Sequence, residues 1–227
     1  MHGCANTSAL FRGEIMADRL TLYNDALMYC GERSISSLSE DREPRRLLDQ
    51  VWAANGVDRC LEEAQWHFAM RADRFDPDPS VTIDFGYGNA FTKPEDWILT
   101  SAVSEDEFFR VPLNAYSDEK GYWYADADPI YVRYVSNDVD FGGDLGEWPQ
   151  TFADFVAIHF ASRIIIKLSD SQEKFKELHA WRQKALITAK NKAAMANPTS
   201  FPAKGSWSRA RTSGRRGDGG NTTGNLY

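Results

Sequence analysis

The hydrophobic and polar positions change period twice along the chain. Leu20, Tyr23, Leu27 and Cys30 recur at helical spacing, and Gly31 follows as a stop, which predicts a short amphipathic helix. From Glu43 to Phe68, Leu47, Val51, Ala54, Val57, Leu61, Ala64 and Phe68 recur at steps of three and four, with Arg45, Asp49, Arg59 and Glu63 on the far side. This pattern predicts one long rod of roughly 30 Å, at about 1.5 Å per residue, on which the rest of the chain would be organised. Pro44 suits a first helical turn, and Ser39 or Asp41 stands in front of it as a cap. Gly56 is expected on the outward face. The connector 32–42 is polar, with Ile35 and Leu38 expected to tuck in.

From His67 the period falls towards two. Phe68, Met70, Ala72 and Arg74 alternate, Asp76-Pro77-Asp78-Pro79 turns, and Val81, Ile83, Phe85 and Tyr87 read as a further strand. Lys93-Pro94-Glu95-Asp96 breaks the pattern before Trp97-Ile98-Leu99. Residues 113–124 read as a hairpin with Gly121 near its turn, and Ile130–Val135, β-branched and aromatic throughout, as the strongest strand. A Gly- and Asp-rich connector, 137–149, leads back to helix. Phe152–Leu168 is apolar nearly all round and is expected to be buried. After Ser169-Asp170-Ser171, a last helix carries Phe175, Leu178, Trp181, Ala185, Leu186, Ala189, Ala193 and Ala196 on one stripe, ending at Asn197-Pro198.

The expected fold is therefore α+β: a bundle of about four helices with an inserted small antiparallel β module and an extended C-terminal tail. The divisions are a flexible arm (1–17), a first helical part (18–66), the β module and connector (67–149), a second helical part (150–197) and the tail (198–227). Met16 is a second plausible start, which would make the first fifteen residues an extension.

Charge sharpens the picture at one end. The net charge of −7 is uneven: from Pro198 onward there are five basic residues and one acidic, about +4, whereas the remainder carries about −11. An acidic body disfavours wrapping by nucleic acid. A Gly/Ser/Arg-rich segment with isolated aromatics buries too little apolar surface to order itself alone, and it suits docking on an acidic protein surface. No run of about 18 apolar residues exists that could span a bilayer. No signal peptide opens the chain, and the three scattered cysteines, Cys4, Cys30 and Cys60, read as reduced thiols rather than as a disulfide framework or zinc site. Synthesis in a cytoplasm follows.

Recognisable chemistry is sparse. His2, His67, His159 and His179 form no metal-binding spacing, and His159 reads as a core histidine. Asp84-Phe85-Gly86 and Asp140-Phe141-Gly142 spell a kinase tripeptide without a Gly-rich loop, strand lysine or catalytic loop in order, so both read as chance. Arg216-Gly217-Asp218 reads the same way. Glu105, Asp106 and Glu107 are candidates for a glycosidase-type carboxylate pair, set against a merely solvated loop. Tyr116, Tyr122, Trp123, Tyr124, Tyr131 and Tyr134 would suit a stacking platform for sugars or bases, or, more simply, sheet packing.

Taken together, several pieces resemble the tail tubular protein A family of short-tailed phages, the head–tail adaptors. These are Ala26-Leu27 with the Gly31-Glu32 stop, the run Cys60 to Ala69, the Lys93–Asp96 element, the Gly121-to-Asp126 hairpin, Tyr131–Val135, and Trp148-Pro149 leading to Ala157, Phe160, Ala161 and Ile164. The match covers roughly Asp18 to Asn197, and the N-terminal extension and long basic tail depart from it. The resemblance implies a structural virion protein without catalysis, cofactor or metal. It implies a twelve-fold homo-oligomeric ring between the portal protein and the tail nozzle protein, with a channel through which DNA passes without sequence-specific binding. On this reading the tail grips the portal through Phe201, Trp207, Arg209, Arg211, Arg215, Arg216 and Tyr227, aromatics serving as anchors and arginines meeting carboxylates. The competing expectations are a tail-borne glycan or peptidoglycan hydrolase using a carboxylate pair, and a nucleic-acid-binding protein using the basic tail.

Overall fold

The computed structural model describes residues 18–196, and the tail residues singled out from Phe201 to Tyr227 lie outside them. Five helices and six strands follow in the order α1 (Arg19–Cys30), α2 (Glu43–Ala53), α3 (Gly56–Leu61), β1 (Met70–Phe75), β2 (Asn89–Thr92), β3 (Trp97–Ser104), β4 (Tyr116–Glu119), β5 (Tyr122–Ala125), β6 (Ile130–Ser136), α4 (Gln150–Ser169) and α5 (Gln172–Ala196). Helix and antiparallel sheet are mixed as an α+β protein.

The helix at the centre is α4, not the 43–68 stretch. Twelve of its residues are buried, among them Phe152, Phe155, Val156, Phe160, Ala161, Ile164 and Ile165, and it is lined by α1, α2, α3 and α5. An apolar surface on every side demands neighbours on every side, and the sequence supplies them.

The expected rod is broken. Helix α2 ends at Ala53, Asn55 takes a left-handed φ of 57°, and α3 restarts at Gly56. Asparagine tolerates that conformation better than most residues. Gly56 faces inward rather than outward: a Cβ there would stand 2.7 Å from the Val51 carbonyl oxygen and 3.1 Å from the Phe160 ring. The bend lets α3 stay against α4, which a straight rod of this length would leave. Neither Ser39 nor Asp41 caps α2; Arg42 occupies the cap without a side-chain bond, and the Asp41 carboxylate accepts from the Arg46 guanidinium instead. Helix α1 ends as expected, with Gly31 at φ 75°. Ile35 is buried, whereas Leu38 is exposed.

The β residues form two three-stranded antiparallel sheets. The first has the order β1-β6-β3 and the second β2-β5-β4. Residues 81–88 form no strand, and Phe85 within them is 90% exposed. The alternation there forms no ladder bonds although residues 82–87 share a pocket with Ser117 and Glu119 of the edge strand β4, and pairing rather than pattern makes a strand. The hairpin turns at Lys120-Gly121, joining β4 to β5 in register from Glu119–Tyr122 outward.

β6 shows why the layers stack as they do. Ile130, Val132 and Tyr134 alternate towards the second sheet, where they meet Phe91, Trp123 and Ala125. Val135 faces the other way, into the helical core with Trp66, Ala69 and Phe152. Sheet one thus lies between the helices and sheet two, with an apolar cluster on each face.

Candidate functional site

Three polar constellations sit inside this frame. In the first, Lys93, just past β2, has a side chain only 5% exposed and pairs with the Asp118 carboxylate. Its ammonium lies 3.7 Å from the Trp97 ring centre and 5.6 Å from that of Trp123. Thr100 donates to Asp118 at 2.6 Å and accepts from the indole N–H groups of Trp97 at 3.0 Å and Trp123 at 2.9 Å. A cation held between two indoles and one carboxylate is engaged on every one of those sides. Its role is to tie the two sheets together.

In the second, Asp96 accepts from Arg71 at 3.0 Å and from the Ser136 hydroxyl, with the Tyr134 hydroxyl 3.4 Å away. This fastens the entry of β3 to β1 and β6. Burial, with the Asp96 charge next in weight, raises the Tyr134 phenol well above its ordinary value, so it stays protonated and donating.

The third lies between α3, α4 and α5. His159 is 7% exposed, and its Nδ1 accepts from Arg182 Nε at 3.0 Å. Arg182 also bridges to Glu63. A ring nitrogen that accepts carries no proton, so the neutral imidazole carries its proton on Nε2. Nε2 has no partner among the described residues. Burial, then the Arg182, Arg163 and Arg59 charges, lower the His159 pKa to about 4, with Glu63 acting the other way.

Asp106 folds its own loop: its carboxylate accepts from the backbone N–H groups of Arg110 and Val111 and from the Ser104 hydroxyl. The Val111 N–H is the main cause that holds its pKa below the usual carboxylate range. Glu105 and Glu107 are exposed. The aromatic set divides as well. Trp123 and Tyr134 are wholly buried between the sheets, and Tyr122 and Tyr124 lie side by side with ring centres 6.1 Å apart. Cys30 and Cys60 are buried free thiols; burial pushes Cys30 up to about 11 and Cys60 further.

Sequence reasoning missed Gly142. A Cβ there would stand 2.3 Å from the Ser136 carbonyl oxygen and 3.0 Å from both Ala69 and Leu61. The Gly142 carbonyl accepts from the Trp148 indole at 2.9 Å. The tripeptide Asp140-Phe141-Gly142 is thus a close-packed corner, and its Gly-Gly sequence was the available signal. Trp148 in turn meets Phe152 edge-on at 5.0 Å, which anchors the start of α4.

The chain matches no protein-family model and no characterised protein.

Proposed function

We propose that this chain is a structural head–tail adaptor of a short-tailed phage. It joins portal and tail nozzle as a twelve-fold ring and leaves a channel for DNA. The observation that carries the reading is that residues behind the resemblance are those that fasten this fold. Trp66 closes the run from Cys60 under Phe152. Lys93 and Asp96 are the two polar hubs of the sheets. Gly121 makes the hairpin turn, β6 is the central strand of its sheet, and Trp148 opens α4.

The finer arrangement belongs to the same reading: the helices form a bundle that makes the ring body, and the two sheets project from it. The polar constellations fit a protein that acts by assembly, since each is spent on joining elements. The acidic balance of the body fits a channel wall along which phosphates slide without adhering. The chain works in the virion, at the head–tail junction.

The tail from Thr199 onward is the portal grip. Deleting it is expected to abolish co-sedimentation of the protein with portal while leaving its far-ultraviolet circular dichroism unchanged. Undiminished co-sedimentation would remove the tail from the interface.

A further inference from the structure

One pocket is unlike the rest of the surface. It lies between α2, α3 and the 137–149 connector, measures about 280 Å³, and is walled by Trp52, Val57, Asp58, Leu61, Leu145 and Trp148. That is smaller than the usual 300–1,000 Å³ of small-molecule sites, so it matches a single side chain rather than a whole ligand. Val139 on its rim is 77% exposed.

The charge beside it is one-sided. Asp58 lines the pocket, and the connector that forms its other wall carries Asp138, Asp140, Asp144 and Glu147 with no basic residue from 137 to 149. None of these five forms an ion pair among the described residues, although eight other carboxylates in the body do. An apolar slot with two indoles, Asp58 in its lining and an acidic connector along one wall suits an extended segment with an aromatic anchor flanked by cations.

The chain contains such a segment. Phe201-Pro202-Ala203-Lys204-Gly205-Ser206-Trp207-Ser208-Arg209-Ala210-Arg211 has bases on both sides of Trp207 and no acid before Asp218. We propose that the pocket receives Trp207 from the C-terminal segment of a second copy, with Lys204, Arg209 and Arg211 set against its carboxylates. The proposal rests on the assembly reading in requiring a second copy. It narrows the portal grip to Arg215–Tyr227 and reassigns Trp207, Arg209 and Arg211 to the second copy; residues 199–227 span at most roughly 95 Å at about 3.3 Å each.

The test uses the full-length chain with p-benzoylphenylalanine in place of Trp207. Unlabelled and nitrogen-15-labelled copies are mixed, illuminated, digested and analysed by mass spectrometry. Expected are cross-links to peptides carrying Trp52, Leu145 or Trp148, found in pairs of mixed isotope. Asp58→Lys should lower their yield about tenfold, the effect of roughly 1.4 kcal/mol. The double substitution Arg209→Glu/Arg211→Glu, which leaves the body's own residues intact, should do the same. Links confined to one isotope, links to other surfaces such as residues 82–87, or yields unmoved by the double substitution would overturn the contact. Portal co-sedimentation of the Asp58→Lys variant, whose substitution lies outside the portal grip, separates the two readings. Its retention with loss of the cross-link marks the predicted pocket contact, and its loss in the unsubstituted chain strikes the adaptor reading alone.

Discussion

Trp66→Ala is expected to cost about 3–5 kcal/mol of unfolding free energy, the usual toll of emptying a large aromatic from a core. Trp66 is 1% exposed. Its ring lies 4.7 Å from that of Phe152, edge to face, and 6.4 Å from that of Phe155. Its indole N–H donates to the Cys60 carbonyl at 3.1 Å, which pins the end of α3. Truncation therefore removes buried area, opens a cavity on the central helix and leaves the Cys60 carbonyl with only the longer bond from the Glu63 N–H at 3.4 Å. Urea unfolding followed by circular dichroism measures this. Trp181→Ala is the contrast, because Trp181 is 39% exposed and touches Tyr29 by one edge; about 1 kcal/mol is expected there. Equal losses at the two positions would contradict the placement of the core.

The second large effect is on the acid side. His159 has a folded pKa of about 4 against an ordinary 6.5. Between those values the unfolded chain takes up a proton that the folded chain excludes, so stability rises with pH across that interval. The neutral histidine's contribution is full above about pH 6.5 and is lost as pH falls through 4, amounting to about 3 kcal/mol. The groups that oppose protonation are Arg182 on α5, Arg163 on α4 and Arg59 on α3, with Glu63 opposing them. Protonation would also turn Nδ1 from an acceptor into a donor facing Arg182 Nε, breaking the link between α4 and α5. Thermal melts from pH 7 to pH 4 should show this slope, and His159→Gln should flatten it. A variant with the same slope as the parent would place the acid sensitivity elsewhere.

The elements that could be read from the residues are those whose signal is local. α1 was legible because its stripe and its Gly31 stop lie within twelve residues. β6 was legible from its branched and aromatic run, and α4 from an apolar surface with no polar side. What failed depended on partners distant in sequence. The 43–68 stripe is helical on both sides of Asn55, and only the approach of Phe160, more than a hundred residues later, explains why Gly56 faces inward and the rod bends. The alternation at 81–88 is as regular as that of β1, yet it pairs with no strand. That the β module divides into two sheets was not legible, because the sequence marks strands but not which strand neighbours which.

Much the same holds for the polar constellations. His159 was legible as a core histidine, but its Arg182–Glu63 partners come from two other segments. Lys93 and Asp96 stood out only as pattern breakers, whereas the structure gives each a buried or half-buried set of contacts. Glu105 to Glu107 looked like candidate chemistry, and only the backbone N–H groups of Arg110 and Val111 show that Asp106 is a loop cap.

The central claim is that many copies of this chain close around a pore. Multi-angle light scattering of the full-length protein, alone and mixed with portal, tests it most directly, with glycan and peptidoglycan substrates incubated in parallel. The account predicts a discrete ring-sized mass on mixing, alone or joined to portal, and no sugar or peptide released. A single-copy mass in both samples, with product accumulating from either substrate, would contradict it.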